Sequence, residues 1–228
     1  MDNNELLDLF FSKSFEENID KEMLNYDYIF PYEKIKEYVY MILAVPLHAF
    51  IEKVRSKVYL AISCKEITQY SSLTDATSRY CQVLDENGDK GYKFEDVGRL
   101  LLNDGINREI GAYRKYGENH SKTACQLGLA QNIYNNFYLS SLGKVFNILD
   151  DTEKKALLAR TILRNPLYGR VFSLIETQDV NISQLCQSLS TSTIVRRRSN
   201  VLKLCKIVSD EYQREGNNLE HIISFIVD

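Results

Sequence analysis

Apolar residues recur at helical spacing along most of the chain, and the breaks between those stretches divide it into short elements. Leu6, Leu7, Phe10 and Phe11 form one amphipathic pattern, and a second runs from Phe15 to Leu24 before Pro31 interrupts the chain. From Glu33 to about Val58, Ile35, Val39, Ile42, Leu43, Leu47, Phe50, Ile51 and Val54 fall at helical intervals. Pro46 lacks an amide N–H and is expected to kink or split this helix. Asp151–Leu163 and Leu167–Glu176 read as two more helices with a break at Pro166.

Residues 62–102 carry a denser set of signals. Ser63 with Glu66 three positions on is a capping-box pair, so a short helix with Ile67 inward is expected there. Ser71 and Ser72 make a turn. Thr74 or Asp75 then caps a second helix that turns Ala76, Tyr80, Val83 and Leu84 inward and stops at Asn87-Gly88. Tyr92 and Phe94 alternate as in a short strand, and Val97, Leu100 and Leu101 open another helix. Helix, tight turn, helix and a glycine-bearing β element follow one another in the order of a winged helix-turn-helix, whose second helix enters the major groove of DNA. A helical hairpin with its polar residues facing water is the competing reading.

An internal repeat extends this pattern. Tyr92–Leu101 (YKFEDVGRLL) matches Phe137–Phe146 (FYLSSLGKVF) at a constant offset of 45 residues, and Ser78-Arg79…Cys81-Gln82-Val83 is echoed by Ser121-Lys122…Cys125-Gln126-Leu127. A second helix–wing unit is therefore expected over about 106–149, with a helix from Ser121 to Leu127 ending at Gly128 and strands flanking a polar tip at Asn132–Asn136. A third unit follows: Asn181 or Ser183 caps a short helix, Ser190–Ser192 turn the chain, and a helix runs from about Thr193 to Val208. Leu219–Val227 is read as a strand or helix completing that unit.

The expected fold is mainly α with short β wings, organised as tandem winged helix-turn-helix units. The segments are an acidic helical region over 1–58, a first unit over 59–105, a second over 106–150 and a basic helix-turn-helix over 151–228. Candidate DNA contacts are Thr74, Asp75, Thr77, Ser78, Arg79 and Lys93 in the first unit and Asn119, His120 and Lys122 in the second. In the third they are Ser192, Thr193, Arg196, Arg197, Arg198, Asn200 and Lys203. Such side chains hydrogen-bond phosphates and base edges, and a run of three arginines near a helix start suits phosphate and guanine.

Charge supports a division of labour. The net charge of −3 is unfavourable for a nucleic-acid binder. It conceals ten acids against four bases over residues 1–50, and ten bases against two acids over 154–206. A basic C-terminal third suits a polyanion while an acidic N-terminal part serves another role. The five cysteines, at 64, 81, 125, 186 and 205, form no CxxC pair and read as reduced thiols, so no metal site is expected. The N-terminus lacks the basic segment of a signal peptide, and the longest apolar run, Tyr38–Leu47, is too short for a membrane span. A cytoplasmic protein with no membrane partner is expected.

The segments YKFEDVGRLL and FYLSSLGKVF, with the "ILRNP" break and the Thr- and Arg-rich stretch through Arg198, resemble the winged-helix DNA-recognition regions of type IIS restriction endonucleases over roughly residues 62–208. The resemblance implies sequence-specific binding of double-stranded DNA in a restriction or defence setting, with a nuclease domain or subunit elsewhere; a homodimer is a separate expectation. The metal-binding catalytic motif of such nucleases has no good counterpart. The one Asp/Glu-x-Lys, Glu153-Lys154-Lys155, lies within a helical pattern. Asp85-Glu-Asn87-Gly-Asp89 has glycine at the wrong positions for a calcium loop. No phosphate-cradling glycine motif or nucleophile elbow occurs, so no cofactor and no catalytic residue is assigned. A protein-docking or transcription-regulating winged helix is the alternative.

Overall fold

The computed structural model describes residues 2–12, 32–57, 59, 62–63, 65–88, 90–186 and 189–226. The pattern expected over Phe15–Leu24 and the break at Pro31 lie outside these residues. The described chain is mainly helical, with a small two-stranded antiparallel sheet and a two-residue parallel strand pair. In chain order the elements are α1 (Asn3–Phe11), α2 (Tyr32–Ala44), α3 (Leu47–Arg55), α4 (Leu73–Ala76), α5 (Ser78–Glu86), α6 (Phe94–Leu101) and α7 (Ile110–Gln126). There follow β1 (Ala130–Ile133), β2 (Asn136–Leu139), α8 (Ser141–Ile148), α9 (Asp151–Leu163), α10 (Pro166–Leu174), β3 (Val180–Asn181), α11 (Ile182–Leu185), α12 (Thr191–Arg214) and β4 (Ile223–Ser224).

These elements form two compact units, each assembled from separate stretches of chain. Unit 1 comprises Met1–Phe11, Met41–Thr68 and Asp151–Asp228, and unit 2 comprises Ser12–Tyr40 and Gln69–Asp150. The boundaries thus fall after Phe11, within α2, between Thr68 and Gln69, and after Asp150.

Unit 1 packs Phe10 edge-on against Phe50, with ring centroids 5.3 Å apart, beside the buried faces of α3, α9, α10 and α12. Pro46 splits the long helical pattern into α2 and α3, as its missing N–H requires. The split leaves helix-end carbonyls and a helix-start amide that need partners inside the protein. Arg160, only 1% exposed, supplies them: Nε donates to the Ile42 carbonyl at 3.2 Å and Nη2 to the Val45 carbonyl at 2.7 Å. The same guanidinium pairs with Glu211 at 3.2 Å and Glu215 at 2.9 Å, and Glu215 accepts from the Leu47 amide that begins α3. Part of the C-terminal basic excess is therefore internal.

Unit 2 buries Tyr80, Cys81 and Leu84 of α5, Val97 and Leu101 of α6, Tyr113 and Ala124 of α7, and Leu142, Val145 and Phe146 of α8. Helices α6 and α7 meet at two glycines. A Cβ on Gly98 would lie 1.9 Å from the Tyr113 carbonyl oxygen, and one on Gly117 would lie 1.8 Å from that of Phe94. The helix backbones touch at these points, leaving no room for even a methyl group.

Candidate nucleic-acid interface

The hairpin of unit 2 turns at Tyr134 and Asn135, with φ of 49° and 61°, and pairs Ala130 with Leu139 through Ile133 with Asn136. Two successive left-handed residues give the tight turn that matches strand twist. Its tip falls inside the Asn132–Asn136 stretch expected from sequence. Tyr92 joins the outer edge of β2 as a single antiparallel bridge. Its amide donates to the Phe137 carbonyl at 3.0 Å, and the Phe137 amide donates back at 2.8 Å. These are equivalent positions of the 45-residue repeat, so the two copies of the motif bond to each other. In both copies the glycine sits in a short helix, and Gly143, like Gly98, faces a backbone carbonyl, that of Leu129 at 2.2 Å from a built Cβ.

Several boundaries differ from the sequence expectation. Ser63 and Glu66 do bond reciprocally, the Ser63 amide donating to the Glu66 carboxylate at 2.7 Å, but they close a turn and not a helix. Ser72, not Thr74 or Asp75, caps α4, its Oγ accepting from the Asp75 amide at 3.2 Å. The second helix is broken at Thr77 (φ −131°, ψ −99°) into α4 and α5. It ends as expected at Asn87, followed by Gly88 with φ of 87°. Phe94 begins α6 and is not a strand residue, so 59–105 builds no hairpin of its own among the described residues. The helix expected from Ser121 starts eleven residues earlier, at Ile110.

The candidate residues of unit 2 separate accordingly. Thr74, Arg79, Lys93 and Lys122 are exposed, while Asp75, Ser78 and Asn119 are half-buried. Asp75 accepts a short hydrogen bond from the Tyr116 hydroxyl. Thr77 is buried, its hydroxyl donating to the Leu73 carbonyl at 2.8 Å, so it reaches no ligand. His120 is likewise no phosphate contact. It is fully buried, with Nδ1 at 2.7 Å from the Tyr116 carbonyl oxygen and Nε2 at 3.4 Å from both the Ser71 hydroxyl and the Ser72 amide. Burial holds its pKa below the ordinary value, against the hydrogen bond to Tyr116 and the charge of Asp75.

The outward face of α7 carries a basic set that sequence reading largely missed, because the start of this helix was misplaced. Arg114 and Lys115 are exposed on its first turns. Lys115 and Lys122 share Glu118, at 3.0 and 2.6 Å, and these two bonds hold the Glu118 carboxyl below its usual pKa. Arg114 forms no ion pair or hydrogen bond through its side chain among the described residues. The loop leading into α7 is prebuilt: Arg108 chelates Asp104 at 2.7 and 2.6 Å, and the Tyr113 hydroxyl accepts from the Arg108 amide and donates to the Ile106 carbonyl.

Unit 1 carries the other candidate set. Asn181 caps α11, its Oδ1 accepting from the Ser183 amide at 3.2 Å, and α12 starts at Thr191 and runs to Arg214. The chain after it returns as β4, which pairs in parallel with β3 through Val180–Ile223 and Asn181–Ser224. Ser192, Arg196, Arg198 and Lys203 are exposed on α12; Thr193 and Asn200 are half-buried. Arg197 differs from its neighbours, since its Nη1 donates to the Ile67 carbonyl at 2.7 Å. It fastens the 63–68 turn and is withdrawn from the outward face. Of the other bases counted in this region, Arg164 lies over the Phe10 ring at 5.4 Å and Arg170 bonds the Tyr59 carbonyl at 3.4 Å.

No group of three or more His, Cys, Asp or Glu side chains among the described residues has metal-holding geometry, and no described helix is long and apolar enough to cross a membrane. No protein-family model matches the chain, and neither comparison with curated proteins nor comparison with solved structures gives a match.

Proposed function

We propose that the chain binds double-stranded DNA through winged helix-turn-helix modules, the best developed being residues 78–139 of unit 2. On this reading α5 is the first helix, Tyr92 the first strand, α6 and α7 the helix-turn-helix, and β1–β2 the wing. The recognition helix is thus α7, two helices after the 73–86 segment singled out in the sequence, and its C-terminal part holds the Ser121–Leu127 helix also expected there. The observation that carries the reading is the bridge of Tyr92 to the outer edge of β2, which joins a residue between two helices to the hairpin that follows a third. That order presents the early turns of the third helix and the hairpin tip as the DNA-facing parts of such a module. Arg114, Lys115 and Lys122 on α7 would meet phosphates and base edges.

A second helix-turn-helix, α11 with α12 and the β3–β4 pair in place of a wing, gives unit 1 a comparable part, with Arg196, Arg198 and Lys203 outward. The restriction or defence setting, with a nuclease domain or subunit supplied elsewhere, rests on the resemblance to type IIS recognition regions. The test is a fluorescence-anisotropy titration of a mixed-sequence duplex across a range of salt. Arg114→Ala with Lys115→Ala should weaken binding and make the dependence of log affinity on log salt shallower by roughly two. Equal affinity and slope in wild type and variant would remove α7 from the interface.

A further inference from the structure

We propose that Tyr134, at the tip of the unit 2 hairpin, inserts its ring between stacked bases of bound duplex DNA; the proposal rests on the reading of unit 2 as a DNA-binding module and adds the residue that opens the base stack.

Three observations converge on it. Tyr134 is 85% exposed, the most open of the large hydrophobic residues among those described. It is also held at φ of 49°, in the first position of a two-residue turn whose ordinary occupants are Asn, Asp and Gly. A bulky side chain in the left-handed region is unfavourable. The neighbouring Asn135, at φ of 61°, is a residue suited to that conformation, whereas Tyr134 is not. Inside the protein nothing offsets the misfit, for the ring makes no hydrogen bond or aromatic contact among the described residues. A sequence that holds an aromatic ring in a disfavoured backbone geometry and gives it no internal role points to an external one.

The arm that carries the ring is stiff. Ala130, Phe137 and Leu139 anchor the hairpin in the core, Phe137 stacks on Phe94 at 4.7 Å, and Gly91 fits under Tyr138 so closely that a Cβ would lie 2.6 Å from its ring. The chemistry around the tip suits a nucleic acid. Residues 130–139 contain no carboxylate to repel phosphate, the amides of Asn132 and Asn135 are exposed beside the ring, and Lys90 and Lys93 stand exposed on either side of Tyr92, the residue bonded to the edge of β2. An aromatic side chain on an arm anchored in the core, with exposed amides beside it and no carboxylate in the hairpin, is equipped to enter a groove and separate a base step.

The experiment uses the full chain as wild type, Tyr134→Phe and Tyr134→Asn. The probe is a mixed-sequence duplex with a fluorescein end label and 2-aminopurine substituted at spaced adenine positions. Wild type and Tyr134→Phe should bind alike and raise 2-aminopurine emission as stacking is lost. Tyr134→Asn should bind about ten-fold more weakly, leave the emission unchanged and show a Tm equal to or above that of wild type, because Asn suits the turn. Undiminished binding by Tyr134→Asn with an unchanged emission response overturns the proposal while leaving unit 2 a DNA-binding module. A lowered Tm in Tyr134→Asn assigns the ring a structural role and also overturns it. Absence of duplex binding by wild type overturns the parent reading and this inference with it, and directs attention to a protein partner for the exposed ring.

Discussion

The two units hold equivalent-looking parts together by opposite means. In unit 2 a two-helix element is locked by backbone contact, with Gly98 and Gly117 leaving the two backbones touching where a Cβ would stand. In unit 1 the helix junction at Pro46 is held by charge, with Arg160 buried between two carboxylates and the broken ends of α2 and α3. The same contrast runs through their outward faces. On α7 the exposed bases stand in a row with one shared carboxylate, whereas on α12 an arginine run is divided, its central member turned inward to the Ile67 carbonyl. A basic residue in this chain is thus as readily a structural fastener as a ligand contact, and charge counting does not separate the two.

The sharpest way to break this contrast is to remove the buried cation. Arg160→Met leaves Glu211 and Glu215 without their partner and should destabilise unit 1 by about 3–5 kcal/mol in a denaturant titration. A loss below about 1 kcal/mol would mean that charge does not hold the junction. In unit 2 the corresponding change is Gly117→Ala, which adds one methyl where no space exists; a cost of about 1–3 kcal/mol is expected by the same measurement. A neutral result there would show that α6 and α7 can move apart.

The divided arginine run makes a finer prediction. Arg196→Ala with Arg198→Ala should lower duplex affinity and reduce the salt slope by roughly two while leaving Tm nearly unchanged. Arg197→Ala should do the reverse, lowering Tm and sparing the slope. Equal effects of the three arginines in anisotropy and thermal melts would erase the distinction drawn between them.

The smallest effect concerns pH. His120 of unit 2 has its pKa held below the ordinary 6.5 by burial, so below that pH the unfolded chain takes up a proton that the folded one refuses. Its contribution to stability is therefore present at neutral pH and lost as pH falls below 6.5, by at most about 1.4 kcal/mol per pH unit. Glu211 of unit 1 behaves differently: burial raises its pKa, but the hydrogen bonds from Arg214 and Arg160 outweigh this and hold it below 4.5. Its contribution is complete above about pH 4.5 and declines as pH falls below that value. Between pH 6.5 and 4.5 the stability of wild type should fall faster than that of His120→Gln in urea titrations, and parallel curves would show that His120 titrates as it does in the unfolded chain.

Much of the helical layout was legible from the chain. Proline needs no context to end a helix, so the breaks at Pro46 and Pro166 stand where the pattern places them. The hairpin between Gly128 and Ser140 was readable from its polar tip, although Tyr134 is not a residue that announces a left-handed turn. The start of α7 was hidden because Ile106 and Ile110 are exposed, at 59% and 60%, and Gly111 and Gly117 interrupt the apolar periodicity. That error shortened the expected helix to Ser121–Leu127 and left Arg114 and Lys115 unnoticed. Ser63 and Glu66 satisfied a local helix-start rule, yet Ile67 to Tyr70 supply no second turn, and local hydrogen bonding alone closed a single turn. The positions of Arg160, Arg197 and His120 depend on contacts 48 or more residues away in the chain, beyond the reach of any local pattern.

DNA recognition as proposed requires α7 to lie in a groove of the duplex. Selection of bound duplexes from a random-sequence pool, followed by sequencing, tests this directly when wild type and Arg114→Gln are run side by side. The expected result is an enriched motif for wild type that loses its preference at one or two adjacent positions in the variant. A pool that stays unenriched with wild type, or a motif identical in the two proteins, would contradict it.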